Sequence, residues 1–251
     1  MLSVRGLEKS FGGRVAVAGV DLDVAAGESV GLVGPNGAGK TTVFNCIFGQ
    51  VRPDAGTVEL DGHDLGPLST WRRARLGIGR TYQRLEVFPE LTVRDHLLVA
   101  RRAHRPERGG RLWRDLLGLS APGPEELVAV DGVLDSLGLV DLADTPVAAL
   151  GLGACRLVEL GRAVAGEPRL LLADEPSSGL DEAETRELAG LLRALQLARG
   201  MGMLVVEHDL AMVEAVVDRV VVMDLGRVVA SGDFREVMGA PAVKRAYLGV
   251  P

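Results

Sequence analysis

Residues 34–42 read Gly-Pro-Asn-Gly-Ala-Gly-Lys-Thr-Thr, and this stretch decides the fold. Its spacing, Gly-x4-Gly-Lys-Thr, is typical of loops that surround the phosphates of a nucleotide. An apolar run at 30–33 precedes the loop and a helical pattern at 41–48 follows it. Glycines let successive backbone N–H groups turn toward an anion, and the helix N-terminus adds the positive end of its dipole. For this segment alone, the alternative is a glycine-rich turn with a surface lysine.

The side chains of the loop predict a site for a nucleotide and Mg²⁺. Lys40 would reach the terminal phosphates, and the hydroxyl of Thr41 would complete the coordination of Mg²⁺. We assign the whole stretch to nucleotide binding: Gly34, Pro35, Asn36, Gly37, Ala38, Gly39, Lys40, Thr41 and Thr42.

Length and composition exclude several classes of protein. A chain of 251 residues, 47% of them hydrophobic, is enough for one large α/β domain, or one domain with a sizeable insertion, and for a substantial core. The formal net charge of −6 argues against a nucleic-acid-binding surface. No secretory signal and no apolar run of membrane-spanning length is present, so we expect no insertion into a membrane. Cys46 and Cys155 lack metal-like spacing and indicate thiols in a reducing compartment.

The hydrophobic pattern predicts a mixed architecture in the first half of the chain. Alternating residues in 2–33 and 57–60 indicate a small antiparallel β layer beside the nucleotide-binding core. A capping box opens a predicted helix at 93–102, and 125–137 predicts a second helix. The segment 103–123 between them is rich in Arg, Gly and Pro, and its pattern sets no boundaries.

The second half returns to the pattern of buried parallel strands. Short apolar runs at 170–173 and 203–206 flank a predicted helix at 181–199, and 220–229 indicates a hairpin. We therefore expect an α/β fold with a P-loop nucleotide-binding core and a mostly parallel sheet.

Adjacent carboxylates follow the first of these buried strands. Asp174 and Glu175 stand at its C-terminal end, which faces the ligand crevice in a parallel sheet. Asp174 would hold Mg²⁺ opposite Thr41, and Glu175 would orient or polarise the water that attacks the terminal phosphate. The alternative for this segment is a plain acidic strand end.

Two further polar residues complete the predicted site. His208 ends the next apolar strand, where its side chain would reach the terminal phosphate. The amide oxygen of Gln83 would be a neutral ligand for Mg²⁺. The remaining histidines are interpreted as ordinary surface or core groups: His63, His96 and His104.

The order of these motifs resembles the ATPase subunit of an ABC transporter over essentially the whole chain. After the phosphate loop and Gln83 come Leu-Gly-Leu-Gly-Ala at 150–154, Leu-Ala-Asp-Glu-Pro at 172–176, Ser-Gly-Leu-Asp at 178–181 and His208. Phe11 matches the aromatic residue that stacks on adenine in that family. The resemblance implies a single ABC ATPase domain with its core in about 1–90 and 160–251 and a helical signature subdomain in about 91–160.

Several segments are similar to the ATPases of branched-chain amino acid importers. Importers of related amides and lipid-export ATPases share much of this pattern. These segments are Arg80-Thr81-Tyr82-Gln83, 87–93, 206–210 and 246–249.

The segment Leu-Gly-Leu-Gly-Ala at 150–154 departs from the signature motif of the family, which is usually Leu-Ser-Gly-Gly-Gln. This segment would open a helix whose N-terminus faces the γ-phosphate of an ATP held by the other subunit. Gly153 still offers its N–H, whereas Gly151 lacks a hydroxyl whose hydrogen bond to phosphate would contribute about 1.5–3 kcal/mol. The resemblance assigns four residues to the ATP of the second subunit: Gly151, Leu152, Gly153 and Asp181.

The resemblance implies an ATP hydrolase, with Lys40, Glu175 and His208 as catalytic residues, that powers solute import at the cytoplasmic face of the membrane. Two ATPase subunits, identical or different, would enclose two ATP molecules. They would act on membrane permease chains and, indirectly, on an extracellular solute-binding protein. Two alternatives are a soluble ABC-type ATPase of DNA repair or translation and a regulatory module without hydrolysis.

The expected permease contact is the cleft between the Gln83 loop and the helical middle, with four exposed apolar candidates: Tyr82, Leu85, Val87 and Phe88. Core packing is the alternative for Val87 and Phe88. A basic run is interpreted as a solvated or lipid-facing surface: Arg101, Arg102, Arg105, Arg108, Arg111 and Arg114.

Overall fold

The computed structural model describes residues 1–83, 85–104 and 121–248. The chain divides into two compact units. The first comprises Met1–Gln83 and Arg169–Pro251, and the second comprises Arg84–Pro168. The second unit extends beyond the predicted helical part at both ends. The chain leaves the main sheet after Arg80 and re-enters it at Leu170, and these strand ends set the boundaries.

The described residues of the first unit form ten strands in two sheets. In chain order they are β1 Leu2–Phe11, β2 Arg14–Val24, β3 Ser29–Val33, β4 Ala55–Leu60, β5 His63–Asp64, β6 Ile78–Arg80, β7 Leu170–Asp174, β8 Gly202–Val206, β9 Arg219–Asp224 and β10 Arg227–Gly232.

Nine α-helices lie in the described parts of both units. They are α1 Lys40–Phe48, α2 Thr70–Arg75, α3 Val93–His104, α4 Pro124–Ser136, α5 Leu152–Ala165, α6 Glu182–Arg199, α7 Leu210–Val216, α8 Phe234–Gly239 and α9 Pro241–Leu248.

The main sheet has the strand order β10-β9-β3-β8-β7-β6. Every neighbouring pair is parallel except the β9–β10 hairpin at the edge. All residues of β3, β7 and β8 are buried, as expected for a parallel sheet covered on both faces. The predicted mostly parallel core is therefore confirmed. The sequence pattern missed β6, because three residues that include a glycine and an arginine carry no apolar run.

The second sheet is the predicted antiparallel layer, with the order β2-β1-β4-β5. Apolar side chains of β1 and β2 share one core cluster with α1 and with strands of the main sheet. Phe44 and Ile47 of α1 are fully buried in this cluster. Helix α1 is thus packed by both sheets, and its N-terminus is fixed at the end of β3.

The second unit is built around α3, α4 and α5. The predicted capping box is present at the start of α3, where the Thr92 hydroxyl lies 2.6 Å from Asp95 Oδ2 and accepts from the Asp95 N–H at 3.1 Å. A Cβ on Gly161 of α5 would lie 2.8 Å from Leu97 Cδ2. The glycine therefore permits the close packing of α5 on α3.

Two arginines of the predicted basic run have acidic partners in the second unit. Arg101 pairs with Glu167 and Arg102 with Glu126, and both arginine side chains are partly buried. The rest of the run lies outside the described residues: Arg105, Arg108, Arg111 and Arg114. Gly249 of the 246–249 segment also lies outside them.

No helix in the described part of the chain is long and apolar enough to cross a membrane. Cys46 and Cys155 are both free and buried.

A buried histidine fixes the chain ahead of α3. His96 is 1% exposed. The Phe88 N–H donates to its Nε2 at 2.9 Å, and its Nδ1 lies 2.9 Å from the Thr92 carbonyl oxygen. This pair of contacts requires the neutral ring with its proton on Nδ1. Burial lowers the pKa of His96, and Arg162 acts in the same direction, against the Thr92 carbonyl and Asp95.

We expect the free energy of unfolding to fall as the pH drops from about 7 toward 5, by up to about 1.4 kcal/mol per pH unit. The unfolded His96 binds a proton below about pH 6.5, whereas the folded ring with its lowered pKa does not. The stabilisation is therefore complete above that pH and is lost as the pH falls.

Urea unfolding across this pH range measures the effect in the wild type and in His96→Gln, with exposed His63→Gln as the matched control. His96→Gln should flatten the pH dependence, and His63→Gln should not. The same slope in all three proteins would contradict the assignment.

Candidate functional site

The glycine loop between β3 and α1 is closed by two very close backbone approaches. Gly34 has φ 145° and Gly39 has φ 100°, both in the region that favours glycine. A Cβ on Gly34 would lie 2.1 Å from the Met223 carbonyl oxygen, and one on Gly39 would lie 2.4 Å from the Ala16 carbonyl oxygen. Any side chain at either position would displace a strand, so glycine is required there.

Lys40 closes the loop from inside. It is 5% exposed, and its ammonium donates to the carbonyl oxygens of Gly34 at 2.7 Å and Pro35 at 3.0 Å. Burial lowers the pKa of Lys40, and the carboxylate of Glu175 opposes that shift. A cation in a ring of backbone groups at a helix N-terminus is a site for an anion.

An open cleft of about 590 Å³ lies over this loop in the first unit. It brings together most of the residues that the sequence assigned to the nucleotide: Phe11, Asn36, Gly37, Ala38, Gly39, Lys40, Thr41, Thr42, Gln83, Glu175 and His208. Phe11, at the end of β1, is half exposed and offers an aromatic face. The cleft also includes Arg14, Val15 and Leu225, which the sequence analysis missed because none belongs to a recognisable motif.

Glu175 is held between two other polar residues of the cleft, Gln83 and His208. The Gln83 amide nitrogen donates to its Oε2 at 2.6 Å, and His208 Nε2 lies 3.1 Å from its Oε1. Its backbone has φ 46°, an uncommon conformation for a residue with a side chain, and its N–H donates to the Val206 carbonyl at 2.8 Å. The carboxylate is therefore aimed into the cleft mouth by the bend that follows β7.

Asp174 lies deeper than Glu175 and has different partners. Its Oδ2 accepts from Arg80 Nη2 at 2.9 Å, and its backbone N–H donates to the Thr81 hydroxyl at 3.1 Å. Burial raises the pKa of Asp174, and the Arg80 guanidinium opposes that shift. The sequence analysis assigned no role to Arg80 or Thr81, whose contacts with Asp174 are remote in sequence.

The three residues predicted to bind Mg²⁺ suit that ion in their chemistry. Thr41, Gln83 and Asp174 offer hydroxyl, amide and carboxylate oxygens, which hard cations prefer. The described residues contain no group of three His, Cys, Asp or Glu side chains that would hold a metal alone. Mg²⁺ usually takes one or two protein oxygens and completes its shell with phosphates and water, so the residues fit it as a partner of bound nucleotide.

Glu207 links two loops that follow neighbouring strands. It is buried, and its Oε1 accepts from the N–H of Ser177 at 2.8 Å and from the hydroxyl of Ser177 at 2.6 Å. Its Oε2 accepts from the His208 N–H at 2.9 Å. The segment that leads to Asp181 is thereby fixed to the residue before His208. An acidic residue before a histidine was visible in the sequence, but its partner thirty positions away was not.

The residues assigned to a second subunit's ATP lie at the N-terminal ends of α5 and α6. Asp181 caps α6, accepting from the Glu184 N–H at 2.9 Å in a capping box with Glu184. Gly151 is the N-cap of α5, with φ −70° and ψ 167°, and Leu152 begins the helix. Gly153 lies in the first turn, where backbone N–H groups lack helical partners.

The apolar side chains after β6 divide into two kinds. Tyr82 packs edge-on against Phe48, with 6.5 Å between ring centroids, and so belongs to the core margin. Phe88 is 55% exposed, and Leu85 and Val87 are half-buried. Phe88 therefore offers exposed apolar surface, and core packing does not account for it.

The sequence and the fold match known proteins. Residues 17–178 match the family model described as ABC transporter. The chain is 38% identical over 252 residues to the high-affinity branched-chain amino acid transport ATP-binding protein LivG of Salmonella typhimurium (strain LT2), covering 99% of this chain and 98% of the relative.

Solved structures agree. A nucleotide-free ATP-binding cassette from an ABC transporter has a TM-score of 0.86 at 28% identity, covering 100% of this chain and 99% of that chain. A dimeric ATP-binding cassette in a post-hydrolysis state with ADP and Pi has a TM-score of 0.78 at 25% identity, covering 94% and 99%. The chain belongs to the ABC transporter family, as an ATP-binding ATPase subunit. The fold class expected from the resemblance is thereby confirmed, and the protein binds nucleotide.

We expect Glu207→Gln to lower the free energy of unfolding by about 2 kcal/mol, because it replaces charge-assisted hydrogen bonds and turns an amide donor toward backbone N–H groups. ATP turnover should fall as well, since the backbone at His208 loses its anchor. Urea unfolding and phosphate release measure the two effects. Glu182→Gln, at an exposed ion pair in the same unit, is the control. Equal stability of the two variants would contradict the anchoring role.

Proposed function

We propose that this chain hydrolyses ATP with Mg²⁺ to power import of branched-chain amino acids or a similar small solute. The observation that carries the proposal is the carboxylate of Glu175, held between Gln83 and His208 at the mouth of the glycine loop. The likeness to LivG, whose name states branched-chain amino acid transport, supports the class of solute. The comparisons give no support to a soluble repair or translation ATPase or to a regulatory module.

The residues predicted from the sequence have distinct tasks in this mechanism. The loop N–H groups and Lys40 bind and orient the phosphates, and Phe11 receives the adenine ring. Thr41, Gln83 and Asp174 would hold Mg²⁺, which neutralises charge on the phosphates when bound.

Glu175 accepts a proton from the attacking water, and His208 keeps that carboxylate oriented by its contact at 3.1 Å. Gln83 would join the two tasks, because its amide nitrogen donates to Glu175 while its oxygen would hold the metal.

The cleft supplies the contacts to one side of the nucleotide, and we propose that a second ATPase subunit supplies the rest. Gly151, Leu152, Gly153 and Asp181 would serve that subunit's ATP in return. The dimeric relative with ADP and Pi supports such an assembly. The whole chain would then act as one ABC ATPase domain, peripheral to the cytoplasmic face of the membrane. It would contact permease chains through surface near Phe88 and, through them, serve an extracellular solute-binding protein.

Hydrolysis by purified protein tests the catalytic assignments. We expect Glu175→Gln to retain ATP binding and to lose at least about 100-fold in turnover, since a general base contributes that much or more. Lys40→Ala should lose ATP binding as well. The control is Glu182→Gln, at the exposed start of α6, which should match the wild type. Equal rates in all four proteins would refute the assignments.

The altered signature at 150–154 leads to a separate prediction. Gly151 has open space where a Cβ would stand and an extended backbone that suits a serine cap. Gly151→Ser should raise ATP turnover of the assembled transporter about tenfold, because a hydroxyl bond to phosphate contributes about 1.5 kcal/mol or more.

Gly123→Ser is the matched control for this substitution. Gly123 is also an N-cap, with φ −73° and ψ 158° and open space for a Cβ, but it belongs to α4. Both substitutions should stabilise their helices slightly, by a few tenths of a kcal/mol. Unchanged turnover in Gly151→Ser, with normal assembly, would show that the missing hydroxyl does not limit hydrolysis.

A further inference from the structure

Arg80, the last residue of β6, reaches three polar partners from one guanidinium. Its Nη2 donates to Asp174 Oδ2, and its Nη1 donates to Asn45 Oδ1 and Gln50 Oε1, each at 2.9 Å. The side chains of Arg80 and Asp174 are 5% and 8% exposed. Asn45 lies in α1, the helix that begins with Lys40 and Thr41, and Gln50 lies just beyond its end. Arg80 therefore connects the phosphate-loop helix to the carboxylate of β7.

Three aromatic rings surround the same guanidinium. Its central carbon lies 5.6 Å from the ring centroid of Phe44, 5.2 Å from that of Phe48 and 5.1 Å from that of Tyr82. A guanidinium is planar and stacks on aromatic faces, so these rings restrict where its donors point. The end of the side chain is thus held by packing as well as by hydrogen bonds.

The orientation of this guanidinium leaves one of its own groups unpaired. Arg80 Nε is buried and has no hydrogen-bond partner among the described residues. An unmade hydrogen bond of a buried donor is unfavourable. The arginine therefore bonds three acceptors through its Nη groups and leaves its Nε without an acceptor in the described part of the chain.

Asp174 receives a fixed geometry from this contact. Arg80 holds its Oδ2, and the Thr81 hydroxyl holds its backbone N–H. No hydrogen bond from the described residues reaches Oδ1 in this structure. One carboxylate oxygen is thereby committed to the protein, and the other remains for a ligand.

We propose that Arg80 is a positioning residue for the Mg²⁺ site: it fixes Asp174 Oδ2 so that Oδ1 serves the metal, and it sets the distance between Asp174 and the helix that carries Thr41. This inference rests on the proposed function, which assigns Mg²⁺ to Thr41, Gln83 and Asp174. Groups hydrogen bonded to a metal-binding carboxylate govern its orientation, and removing one lowers metal affinity about 10- to 100-fold.

The test separates metal binding from nucleotide binding without turnover. Calorimetry gives the dissociation constant of adenylyl imidodiphosphate, a non-hydrolysable ATP analogue, once with Mg²⁺ and once with EDTA. The ratio of the EDTA value to the Mg²⁺ value measures the contribution of the metal. In Arg80→Met we expect that ratio to fall about tenfold. The EDTA value should remain that of the wild type, because Arg80 does not line the nucleotide cleft.

Two further variants separate positioning from folding. Arg80→Lys keeps the charge, but an ammonium does not match the fork that serves three acceptors, so its ratio should also fall. It replaces Arg80→Met if that variant fails to fold by circular dichroism. Arg73→Met is the matched control. Arg73 of α2 is another buried arginine that contacts α1: it donates to the carbonyl oxygens of Cys46 and Ile47, not to Asp174. Its ratio should stay at the wild-type value.

Each outcome decides the inference. A fall in the Arg80 variants with none in Arg73→Met supports it. An unchanged ratio in a folded Arg80 variant overturns it and leaves the Mg²⁺ assignment intact. An equal fall in Arg73→Met overturns it too, because the effect would then be general loosening of α1. A wild-type ratio of one would refute the proposed metal site itself, and the positioning role with it.

Discussion

The structure depends on the close approach of the glycine loop to two strands. The Gly34 backbone meets the Met223 carbonyl of β9 in the main sheet, and the Gly39 backbone meets the Ala16 carbonyl of β2 in the antiparallel layer. The loop is therefore held from both sheets at once. With its backbone fixed in this way, the loop presents N–H groups to an anion, and the Lys40 ammonium lies beside them on the carbonyls of Gly34 and Pro35. The other residues of the cleft lie around this loop.

Three acidic residues close to the loop each have separate partners. Asp174 has the Arg80 guanidinium, Glu207 has Ser177 and the backbone of the next residue, and Glu175 has the amide and imidazole that line the cleft. Each carboxylate therefore has a different environment. In the proposed mechanism Asp174 would hold the metal and Glu175 would act on water, whereas Glu207 joins two loops. Like charges at adjacent strand ends are thus used in different ways.

The sequence predicted those parts of the site that are contiguous in the chain. The glycine loop and the strand-end carboxylates were found because phosphate binding and parallel strands impose local patterns. Arg80 stands in a segment similar to branched-chain importer ATPases, but its role was missed because its acidic partner is 94 positions away. Strand β6 was missed because it is only three residues long and is defined only by its pairing in the main sheet. Local chemistry was therefore predictable, and tertiary pairing was not.

The most direct test of this account is a crystal structure of the chain with Mg²⁺ and adenylyl imidodiphosphate. We expect the triphosphate on the backbone N–H groups of the loop, with the Lys40 ammonium moved from the carbonyls of Gly34 and Pro35 to the phosphates. The adenine should lie on Phe11 and the metal between Thr41 and Asp174. A nucleotide bound elsewhere, or a Lys40 ammonium still on the two carbonyls beside bound phosphates, would contradict the central claim that this loop is the phosphate site.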